Sequence, residues 1–398
     1  MNEVTKIDRL LIVDDEKNVA DTLRNISCNL GYAVKVADNI ATFRKLERDF
    51  DPTVILLDLQ MHGNDGVEYL KVLAKQKSSA SIIVLSDTEN RTSWTTSQLG
   101  SVLGLQMAAM LQKPISIHAL RRELRKLMHG STPLTAARLS AAIKVGQVRP
   151  HFQPKVTRSQ NGSWQVGEVE ALARWYRSDG SIVLPDNFIE LAEDSGLLGG
   201  LTDSMLQQVA DQLGRWNKQG HRVRAAVNLS PTLLTDRKLP DRLERLLGKH
   251  GVENNQLILE VTEQVVIEHT QATIGVLSRL RAENIGLAID DFGTGYSSLE
   301  QLYRMPFDEL KIDHSLIRRC QSNKDIRTII EAIVILGQKL GMTVCAEGVE
   351  TADAFEFISG TGCDKQQGYL IGKPVPAAEL EMLIGQTMSD LRATRAIA

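Results

Sequence analysis

The segment Gly286–Leu299, GLAIDDFGTGYSSL, opens as a short apolar run, ends on two adjacent aspartates and passes into a glycine-rich turn. Read as a strand that stops on Asp290 and Asp291, it follows a helical stretch, Thr270–Glu283, and the same unit recurs on both sides. Upstream lie the candidate strands Val148–Gln153, Val169–Trp175, Val223–Leu229 and Leu257–Thr262; downstream lie Glu309–Asp313, Thr343–Ala346 and the run before Gln367. Met205–Gln219 and Ile326–Leu340 supply further helices between them. About eight βα units in roughly 260 residues predict a (β/α)8 TIM-like barrel, whose active site is built from the C-terminal strand ends.

Acidic residues fall where that architecture places chemistry. Strand by strand the barrel presents Glu170 in GEVEALARW, Asn228 in VNLS, Glu260 and Glu263 in LEVTE, and Asp290 with Asp291. It continues with Lys311 and Asp313 in KID, Glu347 and Glu350 in AEGVE, and Gln367 in QQGYL. Any one of these fits a solvated loop; recurrence from strand to strand argues for one shared site. A packed core does not hold so many carboxylates without counter-ions. Oxygen ligands suit Mg2+ or Mn2+, whereas zinc calls for His or Cys, and none of the eight histidines lies within these motifs. Two such cations about 4 Å apart clamp a phosphate and activate a water, which is phosphodiester hydrolysis by in-line attack. Gly293 and Gly295 give the segment after the aspartates a permissive backbone, suited to a loop that moves or admits a ligand.

The first third of the chain alternates Leu10–Val13, Ala33–Val36, Val54–Leu57, Ile82–Leu85 and Met107–Leu111 with amphipathic stretches, which predicts a doubly wound α/β unit on a parallel sheet. Asp14 and Asp15 follow the first strand, Asp58 the third, Ser86 the fourth and Lys113 the fifth, so all five converge on one crevice. Three carboxylates there call for one Mg2+, which lets a carboxylate act as a nucleophile on phosphorus while Ser86 and Lys113 grip the phosphoryl oxygens. The helix Ile117–Met128 runs out at His129-Gly130-Ser131-Thr132-Pro133, a stop signal that separates domains over 6–129 and 134–390.

The 398 residues allow two or three domains at roughly 150 each, and 42% hydrophobic with 24% charged residues is an ordinary globular composition. A formal net charge of -3 argues against a protein that lives on DNA phosphates. Cys28, Cys320, Cys345 and Cys363 form no C-x-x-C pair and fit reduced thiols in a cytoplasmic protein. The N-terminal residues lack a signal-peptide pattern, and the longest uncharged stretch, around Ser93–Gln112, is too polar for a membrane span, so no membrane insertion is expected.

Two resemblances follow from these motifs. LIVDDE, ILLDLQMHGNDG, LSD and QKP stand where the receiver domain of two-component response regulators, a flavodoxin-like fold, carries its signatures. The resemblance implies Asp58 as phosphoacceptor, Asp14, Asp15 and Asp58 as the Mg2+ site, Ser86 and Lys113 as the switch pair, and a sensor histidine kinase as phosphodonor. His62 stands where that family commonly has Pro, and Met110 where a switching aromatic is usual. Residues about 134–390 resemble the EAL-family cyclic-di-GMP phosphodiesterases, named for Glu170-Ala171-Leu172. That likeness implies hydrolysis of cyclic-di-GMP to linear pGpG with two Mg2+ or Mn2+ ions. Glu170, Asn228, Glu260 and Asp290 would hold the first; Asp290, Asp291 and Glu347 would hold the second. Lys311 would contact the attacking water, with Glu347 the candidate general base. Glu263 would brace the Gly293–Ser298 loop, while Glu350 and Gln367 would order the surroundings. Gln153, Leu172, Arg174, Asp313 and Gln367 match substrate-binding positions. The family also implies a homodimer, and the short junction Ile117–Lys144 suits transmission of a rigid-body change. A non-catalytic cyclic-di-GMP receptor is the alternative; a DNA-binding regulator is disfavoured because no recognition-helix pattern follows the receiver.

Overall fold

Two kinds of burial shape the strands, and each marks one unit of the chain. The computed structural model describes residues 8–61, 64–86, 103–128, 134–159, 162–263, 271–293 and 299–391. It divides into two compact units, residues 1–133 and 134–398. In the first, β1 (Arg9–Val13), β2 (Ala33–Ala37), β3 (Val54–Asp58), β4 (Ser81–Ser86) and β5 (Gln106–Gln112) form one parallel sheet in the order β2-β1-β3-β4-β5. Residues 10–13 and 54–58 are buried without alternation, as expected where helices cover both faces of a sheet. Leu11, Val13, Ile55 and Leu57 enter one core layer with Phe43 of α2 (Ile40–Phe50) and Tyr69 of α3 (Gly66–Gln76). Leu10, Ile12, Val54 and Leu56 enter the other, with Leu23 of α1 (Lys17–Asn29) and Leu120 of α4 (Ile117–Leu127). The helix expected after the fourth strand lies outside the described residues, as do His62 and Gly295.

The second unit is a closed barrel of β6 (Val148–Arg158), β7 (Trp164–Tyr176), β8 (Arg224–Asn228), β9 (Leu257–Thr262), β10 (Gly286–Phe292), β11 (Glu309–Ile312), β12 (Thr343–Ala346) and β13 (Lys365–Gln367). The expectation of eight βα units needs one correction. β6 is antiparallel to both neighbours, and β7 to β13 are parallel. Because β6 is reversed, its early residue Gln153 sits opposite Glu170 at the mouth, and Lys155 sits opposite Glu168 one layer deeper.

Outward-facing Val169, Val227, Leu259, Ile289, Leu310 and Val344 pack beneath a helical sheath in one continuous core. That sheath includes α5 (Ala136–Lys144), α6 (Leu198–Lys218), α7 (Leu239–His250), α8 (Gln271–Ala282), α9 (Lys324–Lys339) and α10 (Ala352–Gly360). Inside the barrel, the apolar cluster among the described residues is small: Ala226, Ile258 and Ala288. A TIM barrel usually fills that space with bulky branched side chains; here charged groups occupy it. Among the described residues, no helix is long and apolar enough to cross a membrane.

α6 and α7 approach closely at Gly214, where an added Cβ would lie 2.4 Å from the His250 carbonyl oxygen. Gly214→Ala should cost about 1–3 kcal/mol, as overpacking against rigid backbone does. A chemical-denaturation midpoint unchanged from the parent would show that the two helices can separate freely.

Candidate active site

Strand residues two apart point to the same face, so the inward positions form two tiers. The upper tier is Gln153, Glu170, Asn228, Glu260, Asp290, Lys311, Glu347 and Gln367. Lys311, 1% exposed, stands at its centre. Its Nζ is 2.7 Å from Glu347 Oε1, 2.8 Å from Glu260 Oε2, 2.9 Å from Asp290 Oδ1 and 3.7 Å from Glu170 Oε2. Glu170 is clamped by amides: Asn228 Nδ2 donates to Oε1 at 3.1 Å and Gln367 Nε2 donates to Oε2 at 2.7 Å. Gln367 also donates to Gln153 Oε1 at 3.0 Å.

Adjacent residues of a strand point to opposite faces, so Asp290 and Asp291 cannot both face the mouth from a regular strand. The backbone resolves this with a left-handed Asp291, φ 57°, and a register shift between Ile289 and Phe292 against β11. A non-glycine residue in that region costs of order 1–3 kcal/mol. The result is that carboxylate oxygens of Asp290, Asp291 and Glu347 lie within 4.8 Å of one another.

One ammonium cannot neutralise this set. Burial and the charges of Asp290 and Glu260 push the Glu347 carboxyl well above the usual range, and burial with Glu260 pushes Glu170 up despite Lys311 nearby. Asp291 rises to about 6 through burial and the Asp290 and Asp313 charges. Glu260 goes the other way, to about 2, because Lys155 and Lys311 outweigh its burial. Buried Glu260 Oε2 and Glu347 Oε1 receive no hydrogen bond among the described residues, although Lys311 is close enough for an ion pair. Surplus negative charge, oxygen-only donors and two unfilled carboxylate oxygens fit hard divalent cations.

The remaining candidates flank this centre. Asp313 caps the short helix His314–Arg319, accepting from Ser315 N at 2.9 Å, and lies 2.9 Å from His314 Nδ1. Glu263 Oε2 accepts from Gly293 N at 3.2 Å, tying the strand end to the glycine segment, whose residues 294–298 lie outside the described residues. Glu350 pairs with Arg318 at 2.6 Å, outside the carboxylate cluster. Arg174 is buried and donates to the Ala173 carbonyl; Leu172, on the same strand, pairs with His151 across the sheet. Two residues escaped the sequence reading. His314 joins Asp291 and Asp313 in a second cluster, and Lys155 donates to Glu260 Oε1 at 2.8 Å. Lys155 lies two residues beyond the predicted strand Val148–Gln153, on the part of the observed strand that runs on to Arg158.

In the first unit, Asp14, Asp15 and Asp58 come together with carboxylate oxygens within 4.8 Å, and Lys113 Nζ donates to Asp58 Oδ2 at 2.8 Å. Asp14, Asp58 and Ser86 are buried, and burial with the Asp58 charge pushes the Asp14 carboxyl up. Lys113 N donates to Ser86 O at 2.8 Å, which brings the ends of β4 and β5 together. Met110, on β5, is exposed.

The family model for the EAL domain matches residues 136–374, and that for the response regulator receiver domain matches residues 10–125. The chain therefore belongs to the EAL domain family, with a receiver domain ahead of its EAL domain. MucR of Pseudomonas aeruginosa, a bifunctional diguanylate cyclase/cyclic di-GMP phosphodiesterase, is 38% identical over 67% of this chain. The chain spans 37% of MucR's length. RocR, a cyclic di-GMP phosphodiesterase of the same organism, is 28% identical over 87% of this chain and 90% of its own. The solved structure of the PaMucR phosphodiesterase in complex with c-di-GMP matches with TM-score 0.57 and 39% identity, over 61% of this chain and 98% of that one.

The raised carboxyls give a pH signature. Without metal, the folded site keeps a proton on Asp291 at pH values where the unfolded chain has lost it, so this group withdraws stability as pH rises from 3.8 to about 6. The melting temperature of the parent in EDTA, relative to that of Asp291→Asn, should fall across that window. Mn2+ should raise the parent's melting temperature most at the upper end. Insensitivity to Mn2+ at every pH would exclude a metal site here.

Proposed function

We propose that the barrel hydrolyses cyclic-di-GMP to linear pGpG with two divalent cations, Mg2+ or Mn2+, and that phosphorylation of Asp58 by a sensor histidine kinase controls it. The observation that carries this reading is the ring of Glu170, Glu260, Asp290 and Glu347 around Lys311 at the barrel mouth. The phosphodiesterase activities in the names of MucR and RocR agree with it. Glu170, Asn228, Glu260 and Asp290 would hold one ion, and Asp290, Asp291 and Glu347 the other. When bound, the ions would offset the phosphate charge and acidify a water. Lys311 Nζ would orient the attacking oxygen, and Glu347 Oε1 would take its proton. Arg174 suits a non-bridging phosphate oxygen. Gln153, Leu172, Asp313 and Gln367 would line the substrate, and Glu263 would keep the Gly293 segment in register with the site. Asp14, Asp15 and Asp58 would hold one Mg2+ in the receiver, with Ser86 and Lys113 taking the phosphoryl oxygens. Homodimer rearrangement is the proposed route from receiver to barrel.

Purified protein with Mg2+ or Mn2+ should convert the cyclic dinucleotide to pGpG, followed by chromatography. Asp290→Asn should lower turnover by more than about 100-fold, beyond the range for an outer hydrogen-bond partner, while melting in EDTA no earlier than the parent because it removes surplus charge. Full activity in Asp290→Asn would refute the bridging role; an inactive parent, with or without phosphodonor, would favour a receptor. Acetyl phosphate should change turnover in the parent and leave Asp58→Asn unaffected. Equal turnover in all four conditions would leave Asp58 without a regulatory role.

A further inference from the structure

The lower tier of the barrel interior contains charges that the reaction does not use. Lys155, Glu168, Glu309 and Lys365 are each at most 5% exposed. Lys365 Nζ donates to Glu168 Oε2 at 2.8 Å and to Glu309 Oε2 at 2.5 Å. Arg224 reaches Glu168 Oε2 from the barrel floor at 3.3 Å. Lys155 Nζ stands 3.7 Å from Glu168 Oε1 and 2.8 Å from Glu260 Oε1. This is a lattice of alternating sign in which Lys155 is the link between tiers.

Its charge count shows what Lys155 is for. Below it, Glu168 and Glu309 are already matched by Lys365 and Arg224, so the hydrogen bond of Lys155 is spent on Glu260. That bond takes Oε1 and leaves Oε2 as the oxygen facing Lys311, with no hydrogen bond of its own among the described residues. A carboxylate between two ammoniums could otherwise rotate and offer either oxygen. We propose that Lys155 is a positioning residue: it pins Glu260 from below so that Oε2 alone is presented to the upper tier. The inference rests on Glu260 being a metal ligand, as in the proposed function. Outer-shell partners of metal ligands characteristically work by such orientation.

The test uses the full chain and Mn2+ as the probe, with free Mn2+ read by electron paramagnetic resonance and stability by thermal melting. Lys155→Met alone removes a buried positive charge from beside Glu260 and Glu168 and should melt early. Lys155→Met/Glu168→Gln removes one charge of each sign and should recover stability, yet bind Mn2+ about 10–100-fold more weakly. Its kcat at saturating Mn2+ should return towards the parent's. Glu168→Gln alone keeps the Lys155–Glu260 bond and should bind Mn2+ as the parent does. Should the first pair not fold, Lys155→Met/Glu309→Gln is a second charge-neutral pair with the same expected split. A folded pair with parental Mn2+ affinity overturns the positioning role, as does an equal loss in Glu168→Gln. Glu260→Gln separates the two readings. Parental Mn2+ affinity in that variant removes Glu260 from the metal site and with it the proposed ligand set; weakened affinity there, with a parental Lys155 pair, overturns the positioning role alone.

Discussion

Everything inside the barrel is arranged around the need to keep three buried lysines matched. Lys155, Lys311 and Lys365 are each at most 5% exposed in a space that branched aliphatic side chains normally fill. Removing one partner from a buried pair typically costs about 3–5 kcal/mol, because the other charge is left uncompensated. The lower tier satisfies this with near-equal numbers of each sign. The upper tier does not: four carboxylates crowd one ammonium, and the imbalance shows as Glu347 and Glu170 clinging to protons while Glu260 gives its proton up. An apolar cluster of Ala226, Ile258 and Ala288 fills what the charges leave. The interior is thus a polar lattice that ends, at the strands' carboxyl ends, in a site short of positive charge.

The receiver domain reaches a similar state with different parts. Asp14, Asp15 and Asp58 share a crevice with Lys113, whose Nζ holds one oxygen of Asp58 at 2.8 Å. In both units a lysine from one strand end holds carboxylates from others in place without balancing them. This follows from parallel topology. Every strand delivers its last side chain to the same edge, so acids that are far apart in the chain meet there. Preorganised repulsion of this kind is relieved by a divalent cation, which is why donor chemistry and charge count lead to the same functional reading.

Much of this was legible in the chain. Alternating apolar and amphipathic runs specify the sheet of the first unit and the strands of the second, because a parallel strand buried on both faces must be apolar along its length, as Val54–Leu57 is. Acids at strand ends, such as Glu260 and Asp290, stood out because they interrupt those runs. Three features were not legible. The reversal of β6 depends on pairing with β7 and β13, and no property of Val148–Gln153 taken alone distinguishes an antiparallel strand. The kink at Asp291 is a backbone choice that brings two neighbouring carboxylates to one face. The pairing of Lys155 with Glu168 and Glu260 exists only in the fold, because each of the three comes from a different strand.

Which elements form and which edges carry acid follow from the chain alone, since periodicity and residue chemistry are local properties. Tertiary structure alone decided the balance of charge. Whether Lys155 meets Glu260, and whether Glu347 faces Lys311 or water, depends on barrel closure between strands more than 100 residues apart in the case of Lys155 and Glu260. The interaction of two charges depends on their separation and on the solvent excluded around them, and neither exists until the barrel closes.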